Sequence, residues 1–206
     1  VPPAPAPSPA PAPTVAPAPG APATTGAPGA PAPTPALPAG FHWLVDSQSR
    51  IFVGVHDTWV DHVLADPDTT NVNPYLETAP DRAAYVNSWD SPGMTLAAFP
   101  NNTPPATAAT NIDQGADCIT HGQPLPLSAR PELTGTHITS TGCGPSGQGT
   151  VDIVAAVSPD QQFVLVLLVQ QGPNADPVIT QTAIATFGAL APGEAPPTTP
   201  AGTTPG

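Results

Sequence analysis

The sequence predicts an α+β domain over residues 41–190, one antiparallel sheet with helices packed on its faces, and three observations predict it. The strand-like runs are short and separated by tight polar turns, which makes neighbouring strands antiparallel. Helix-start signals containing proline, at Thr78–Asp81, Thr103-Pro104 and Asp176-Pro177, fall between those runs. The run Phe163–Val169 is apolar on both faces, which demands a central strand covered on both sides.

His42–Val45 and Ile51–Val55 read as a hairpin across the polar turn Asp46-Ser47-Gln48-Ser49-Arg50. Thr78-Ala79-Pro80-Asp81 has capping-box spacing. The helix it opens would carry Tyr85 and Trp89 on one side and stop at Ser91-Pro92-Gly93. Met94–Phe99 is a strand. Thr103-Pro104 opens a second helix, with Ala108 and Ile112 spaced for one buried face, running towards Cys118.

Leu133–Thr141 alternates weakly and is rich in Thr, a strand with one wet face. Val151–Val157 places Val151, Ile153, Ala155 and Val157 on one side and Asp152 on the other. Ser158-Pro159-Asp160 is a tight turn, so this strand and the run 161–170 are antiparallel neighbours. Asp176-Pro177 is an N-cap followed by Pro at the first helical position. That closing helix runs to about Leu190, with Ile179, Ala183, Ile184 and Phe187 inward.

On either side of this domain the composition changes. Residues 1–40 form a Pro/Ala/Thr-rich linker, and residues 1–38 of it hold 15 of the 34 prolines and no charge. Residues 191–206 are a shorter Pro/Thr/Gly-rich tail. Proline fixes φ and removes donors, so disorder with local polyproline II is expected, with a contour of roughly 120 Å for the long arm. A passive spacer and a stalk carrying O-linked sugar on Thr14, Thr24, Thr25 and Thr34 are both consistent with that chemistry.

The chain has no lysine, and its three arginines (Arg50, Arg82, Arg130) face 15 acids, for a net charge of −12. Nucleic-acid binding through a basic patch is excluded on that count, and an anionic membrane surface is disfavoured by the same sign. The longest apolar run is seven residues, Phe163–Val169, far short of the roughly 20 needed to span a bilayer. No direct membrane insertion is expected. Two cysteines, Cys118 and Cys143, admit one structural disulfide or two buried thiols. The exported character of the composition favours the bridge, which would add about 3 to 4 kcal/mol by the chain-entropy model.

Gly142-Cys143-Gly144-Pro145-Ser146-Gly147 matches a dinucleotide fingerprint letter for letter, but a strand follows where the fingerprint needs a helix. It reads as a glycine-rich turn. His56-Asp57-Thr58-Trp59-Val60-Asp61-His62 is the densest polar cluster, yet neither helical nor strand spacing puts both histidines on one face with a third ligand. No metal, cofactor or catalytic residue is therefore assigned. Trp59 and Trp89 are candidates for a binding surface, with burial in the core as the competing reading.

Several stretches occur together in an order met elsewhere: Trp59-Val60-Asp61, Tyr85-Val86-Asn87-Ser88-Trp89 with Ser91-Pro92-Gly93, Cys118, Leu133-Thr134-Gly135, Thr141-Gly142-Cys143-Gly144, and the strand Phe163–Val169 before a helix ending in Phe187. In this the chain resembles the small exported domains that actinobacteria attach, behind Pro/Ala/Thr-rich linkers, to receptor serine/threonine kinases and trypsin-like proteases, or secrete alone. Such domains are Mog1/PsbP-like α/β/α sandwiches, a fold shared by mycobacterial lipoproteins of the LpqN type. The tails resemble those of mycobacterial alanine- and proline-rich secreted antigens. The resemblance implies an extracellular or cell-envelope location and no agreed enzymatic residues. Gly135-Thr136-His137-Ile138 departs from it, because the relatives carry bulkier aromatic residues there.

The expectation is a non-enzymatic exported interaction module for an unknown protein or cell-wall partner. The rival is an accessory domain of a larger serine protease or receptor kinase. A hydrolase would require Ser, His and Asp to converge in the fold.

Overall fold

The computed structural model describes residues 35–65 and 73–198. The expectations for residues 1–34 and 199–206 lie outside the described residues. The chain forms β1 (Phe41–Val45), β2 (Ile51–His56), β3 (Asp61–Val63), β4 (Tyr75–Ala79), α1 (Arg82–Asn87) and β5 (Gly93–Pro100). Next come α2 (Pro105–Asp113), β6 (Cys118–Thr120), β7 (Leu125–Pro126), β8 (Gly135–Cys143) and β9 (Gly149–Val157). The last elements are β10 (Phe163–Gln171), α3 (Pro177–Thr186) and β11 (Gly188–Ala189).

The predicted hairpin forms with Phe41 opposite His56 and Val45 opposite Phe52. Its turn is organised by the Asp46 carboxylate, which accepts from the backbone N–H of Gln48, Arg50 and Ile51. The Ser158–Asp160 turn joins β9 and β10 as antiparallel neighbours, and β10 lies between β5 and β9. That is the central position its two apolar faces require. Asp176 caps α3 by accepting from Val178 N.

One expectation is corrected in number: the strands make two sheets. An eight-stranded antiparallel sheet runs β3-β4-β5-β10-β9-β8-β6, with β7 also on β8, and a separate three-stranded sheet runs β1-β2-β11. The small sheet has an apolar face of Leu44, Ile51, Val53 and Val55. Burying it against Met94, Leu96, Leu165 and Leu167 of the large sheet makes the first core. Helix α3 closes that same side through Ala183, Ile184 and Phe187. On the opposite face Ile138, Val151, Ile153, Val164 and Val166 form the second core under α2. The architecture is therefore α+β, with helices on both faces of an antiparallel sheet.

Four local readings change. Helix α3 ends at Thr186 rather than near Leu190, because Gly188 and Ala189 pair with Phe52 and Ile51 of β2. Thr78 does not cap a helix; it lies in β4, fully buried, and donates to the carbonyl of Trp59. Asp81 is the N-cap, accepting from Ala84 N, and α1 ends at Asn87, so Trp89 lies beyond it. Pairing of Thr78 with Met94 in the sheet outweighs the local capping signal. In α2 the buried positions are Ala109 and Asp113, with Ala108 and Ile112 half-buried beside them. Strand β8 starts at Gly135, and Leu133 is a buried turn residue of the first core.

Candidate functional site

Cys118 and Cys143 are bridged. They lie directly opposite each other in the β6–β8 register, so the bridge staples an edge strand to its neighbour rather than tying α2 to a turn. The glycine-rich hexad is the β8–β9 turn, and Gly142, Gly144 and Gly147 all have positive φ. A Cβ on Gly144 would lie 2.5 Å from Asp90 Oδ1. The Asp90 carboxylate braces this turn, accepting from Ser146 N at 2.9 Å and Ser146 Oγ at 2.7 Å.

The polar stretch 56–62 is dispersed among separate tasks. His42 Nδ1 lies 2.9 Å from Asp57 Oδ1, His56 bonds Thr58, and Asp61 accepts from Arg82 N. Among the described residues no group of three or more His, Cys, Asp or Glu is placed to hold a metal ion. Trp59 is 4% exposed and belongs to the first core, whereas Trp89 is half-buried against the second. The two tryptophans therefore serve opposite faces of the large sheet and form no common surface.

Ser140, Asp113 and His121 do converge. Ser140 Oγ donates to Asp113 Oδ1, and His121 Nδ1 lies 3.0 Å from Asp113 Oδ2. A nucleophilic triad needs the imidazole between serine and carboxylate. Here the carboxylate is in the middle and Ser140 is fully buried. The cluster fastens the end of α2 to β8, and Ser140 Oγ also accepts from Gly122 N at 2.9 Å.

A second network lies at one end of the first-core face. Asp152, 5% exposed in the apolar strand β9, accepts from Thr139 Oγ1 at 2.6 Å and Gln171 Nε2 at 2.7 Å. Its Oδ1 stands 2.7 Å from His137 Nε2. A carboxylate only accepts, so the imidazole donates from Nε2. Next along β10, Gln170 Nε2 donates to the carbonyls of Ser88 and Ser91, fixing the loop that carries Trp89.

Gln170 and Gln171 also form part of a pocket of about 190 Å³ at the start of α3. Trp59, Pro92, Ile179 and Thr180 complete its inner wall, and Asn174 and Asp176 stand exposed at its mouth. Thr180 is 5% exposed, and its hydroxyl has no hydrogen-bond partner among the described residues. A larger cleft of about 450 Å³ runs between α2 and the β5–β10 pair, floored by Val164 and Val166 with Phe99 at its edge.

Two phenols are strongly perturbed. Burial pushes the Tyr85 hydroxyl far above its ordinary value, with its hydrogen bond to Thr95 opposing. Tyr75 is raised first by burial and then by the Glu77 carboxylate to which it donates.

The sequence places Asp152 on the face of β9 opposite Val151 and Ile153 and gives Gln170, Gln171 and Thr180 no role. A charge inside a strand that is otherwise apolar was the one available signal for Asp152. For the other three, sequence offers no such signal. No described helix is long and apolar enough to cross a membrane. No protein-family model matches the chain, and no curated protein matches it.

Proposed function

We propose that the chain is an exported, non-enzymatic binding module that presents the pocket at the start of α3 to a partner of the cell envelope. The observation that carries this reading is the pocket itself. Its walls come from β10, α3 and the Trp59 segment, held by the core and by the Gln170 and Gln171 bonds, so it is formed before any ligand arrives.

Export is supported by the bridge between Cys118 and Cys143, since disulfides persist in oxidising compartments. The net charge of −12 directs the partner away from nucleic acid and anionic lipid. The reading extends to a Mog1/PsbP-like relationship with the actinobacterial domains, supported by helices on both faces of an antiparallel sheet and by the order of the shared stretches.

The test is a thermal-shift screen of the purified chain against soluble envelope glycans and peptides, run beside esterase, peptidase and glycosidase substrates. Saturable stabilisation without turnover is expected. Turnover abolished by Ser140→Ala or His137→Ala overturns the reading.

A further inference from the structure

We infer that the chain associates with a second copy of itself across the cleft between α2 and the β5–β10 pair, each copy inserting Phe99 into the cleft of the other. The dimer does not depend on the binding-module reading. It leaves the pocket at the start of α3 open, because α3 closes the first-core face and the cleft lies on the second.

The sheet register places the parts. Phe99 of β5 pairs with Val164 of β10, and Ala97 pairs with Val166. Helix α2 lies over β8 and β9 and approaches β10 from one side, with Ala108 and Ile112 as the wall it turns to the cleft. Phe99 stands at the far edge, 42% exposed, although the three residues before it in β5 are buried. Leaving so much of an aromatic ring in water is unfavourable. The cleft beside it has about 450 Å³, the space of about fifteen waters at ~30 Å³ each, which is enough for a phenyl ring together with the ring of Pro100. A knob beside its own hole makes a self-complementary patch. A two-fold axis between them sends each ring into the opposite cleft, so the contact closes at two copies and does not propagate.

Charge selects the occupant. The chain carries −12, so two copies repel on most approaches, within about one Debye length of ~8 Å at physiological salt. Yet Ser91–Ile112, which supplies β5, the loop after it and all but the last residue of α2, has no Asp, Glu, Lys, Arg or His. Val164 and Val166 complete an uncharged lining. Asp113, which ends α2, is buried against Ser140 and His121, and Asp160 on the β9–β10 turn accepts from Ser158 Oγ and Gln162 N. Two acidic copies therefore meet here without setting carboxylate against carboxylate. An anionic partner finds no arginine in the lining, and a cationic one finds no acid.

Sedimentation velocity of the full chain, from micromolar to about millimolar concentration, should show reversible conversion of one copy to two and no larger species. Added NaCl should tighten the dimer, because salt screens the overall repulsion and the interface holds no ion pair. Phe99→Ser should weaken it at least about a hundredfold, two rings being lost per dimer. Asn111→Asp changes an exposed residue at the rim of the cleft. It should weaken the dimer about tenfold at low salt, recover in high salt and leave the melting temperature in place. Ile119→Ser removes a side chain 80% exposed on the β6 edge and should change nothing.

A chain that stays a single copy throughout that range overturns the inference, as does a dimer indifferent to Phe99→Ser or equally lost in Ile119→Ser. Should Phe99→Ser fail to fold, Asn111→Asp decides alone, and a dimer unchanged by it at low salt overturns the inference. Titration with 1-decanol reports the rival occupant. Saturable thermal stabilisation of a single-copy chain would assign the cleft to an aliphatic ligand instead.

Discussion

Asp152 lies directly opposite Thr139 in the β8–β9 register and diagonally across from His137, whose Nε2 is 2.7 Å from Asp152 Oδ1. The carboxylate is the hub for three side-chain donors beside the apolar Val151, Ile153 and Val169. Asp152→Ala orphans His137, Thr139 and Gln171 together, although Thr139 and His137 retain access to water. The expected loss is about 2–3 kcal/mol in urea unfolding. His137→Ala should cost under about 1 kcal/mol, since Thr139 and Gln171 still satisfy the carboxylate. Equal losses for the two variants would show that the carboxylate is not the hub.

What the sequence revealed and what it hid divide along a physical line. β10 was legible because seven consecutive apolar residues have one stable location, and α3 because Asp176-Pro177 is a local signal for a local structure. β4 was hidden by Glu77, a charge that reads as solvent-facing but is 5% exposed and paired with Arg82. β6, β7 and β11 are three, two and two residues long and exist only as partners of longer strands. The pocket was illegible for the same reason: Trp59 is distant in sequence from Gln171 and Thr180, and their packing together is a property of the folded state.

The bridge between Cys118 and Cys143 closes a segment with a sequence separation of 25, worth about 3–4 kcal/mol by loop entropy. It also pins β6, which has three residues to hold itself on β8. Cys118→Ser with Cys143→Ser should lower the unfolding free energy by about that amount. Amide exchange should accelerate first in residues 118–120. Mass analysis of the native chain after alkylation should find no added label, and two added labels would show that the bridge is absent.

Leu37 precedes the domain boundary read from the sequence, yet it packs on β2. A Cβ built on Gly54 would lie 2.4 Å from Leu37 Cδ2. A truncated chain of residues 41–190 therefore loses an apolar contact that a chain of residues 35–198 keeps. The shorter form should be less stable by about 1 kcal/mol, and Leu37→Ala in the longer one should reproduce most of that loss. Identical melting of the two truncated forms would show that the Leu37 contact contributes nothing. The full chain and the 35–198 form should melt alike, because residues 1–34 carry no charge and few large apolar side chains.

Alkaline stability is set by the phenols. The chain has two tyrosines, and both are raised well above their ordinary value near 10. Tyr85 is held neutral chiefly by burial against Gly93, where an added Cβ would fall 2.2 Å from the ring. Each phenol is bound to its proton more tightly folded than unfolded. Its contribution is complete below the ordinary value and is lost as pH rises from there towards the folded one. No exposed tyrosine masks the reading, so phenolate absorbance should stay flat through the ordinary titration range. It should then rise in one step with the loss of the far-ultraviolet circular dichroism of the sheet. Tyr75→Phe isolates Tyr85 and should leave that step cooperative. A phenolate signal that titrates near its ordinary value while the sheet remains intact would place the remaining ring in water, contrary to its packing beneath α1.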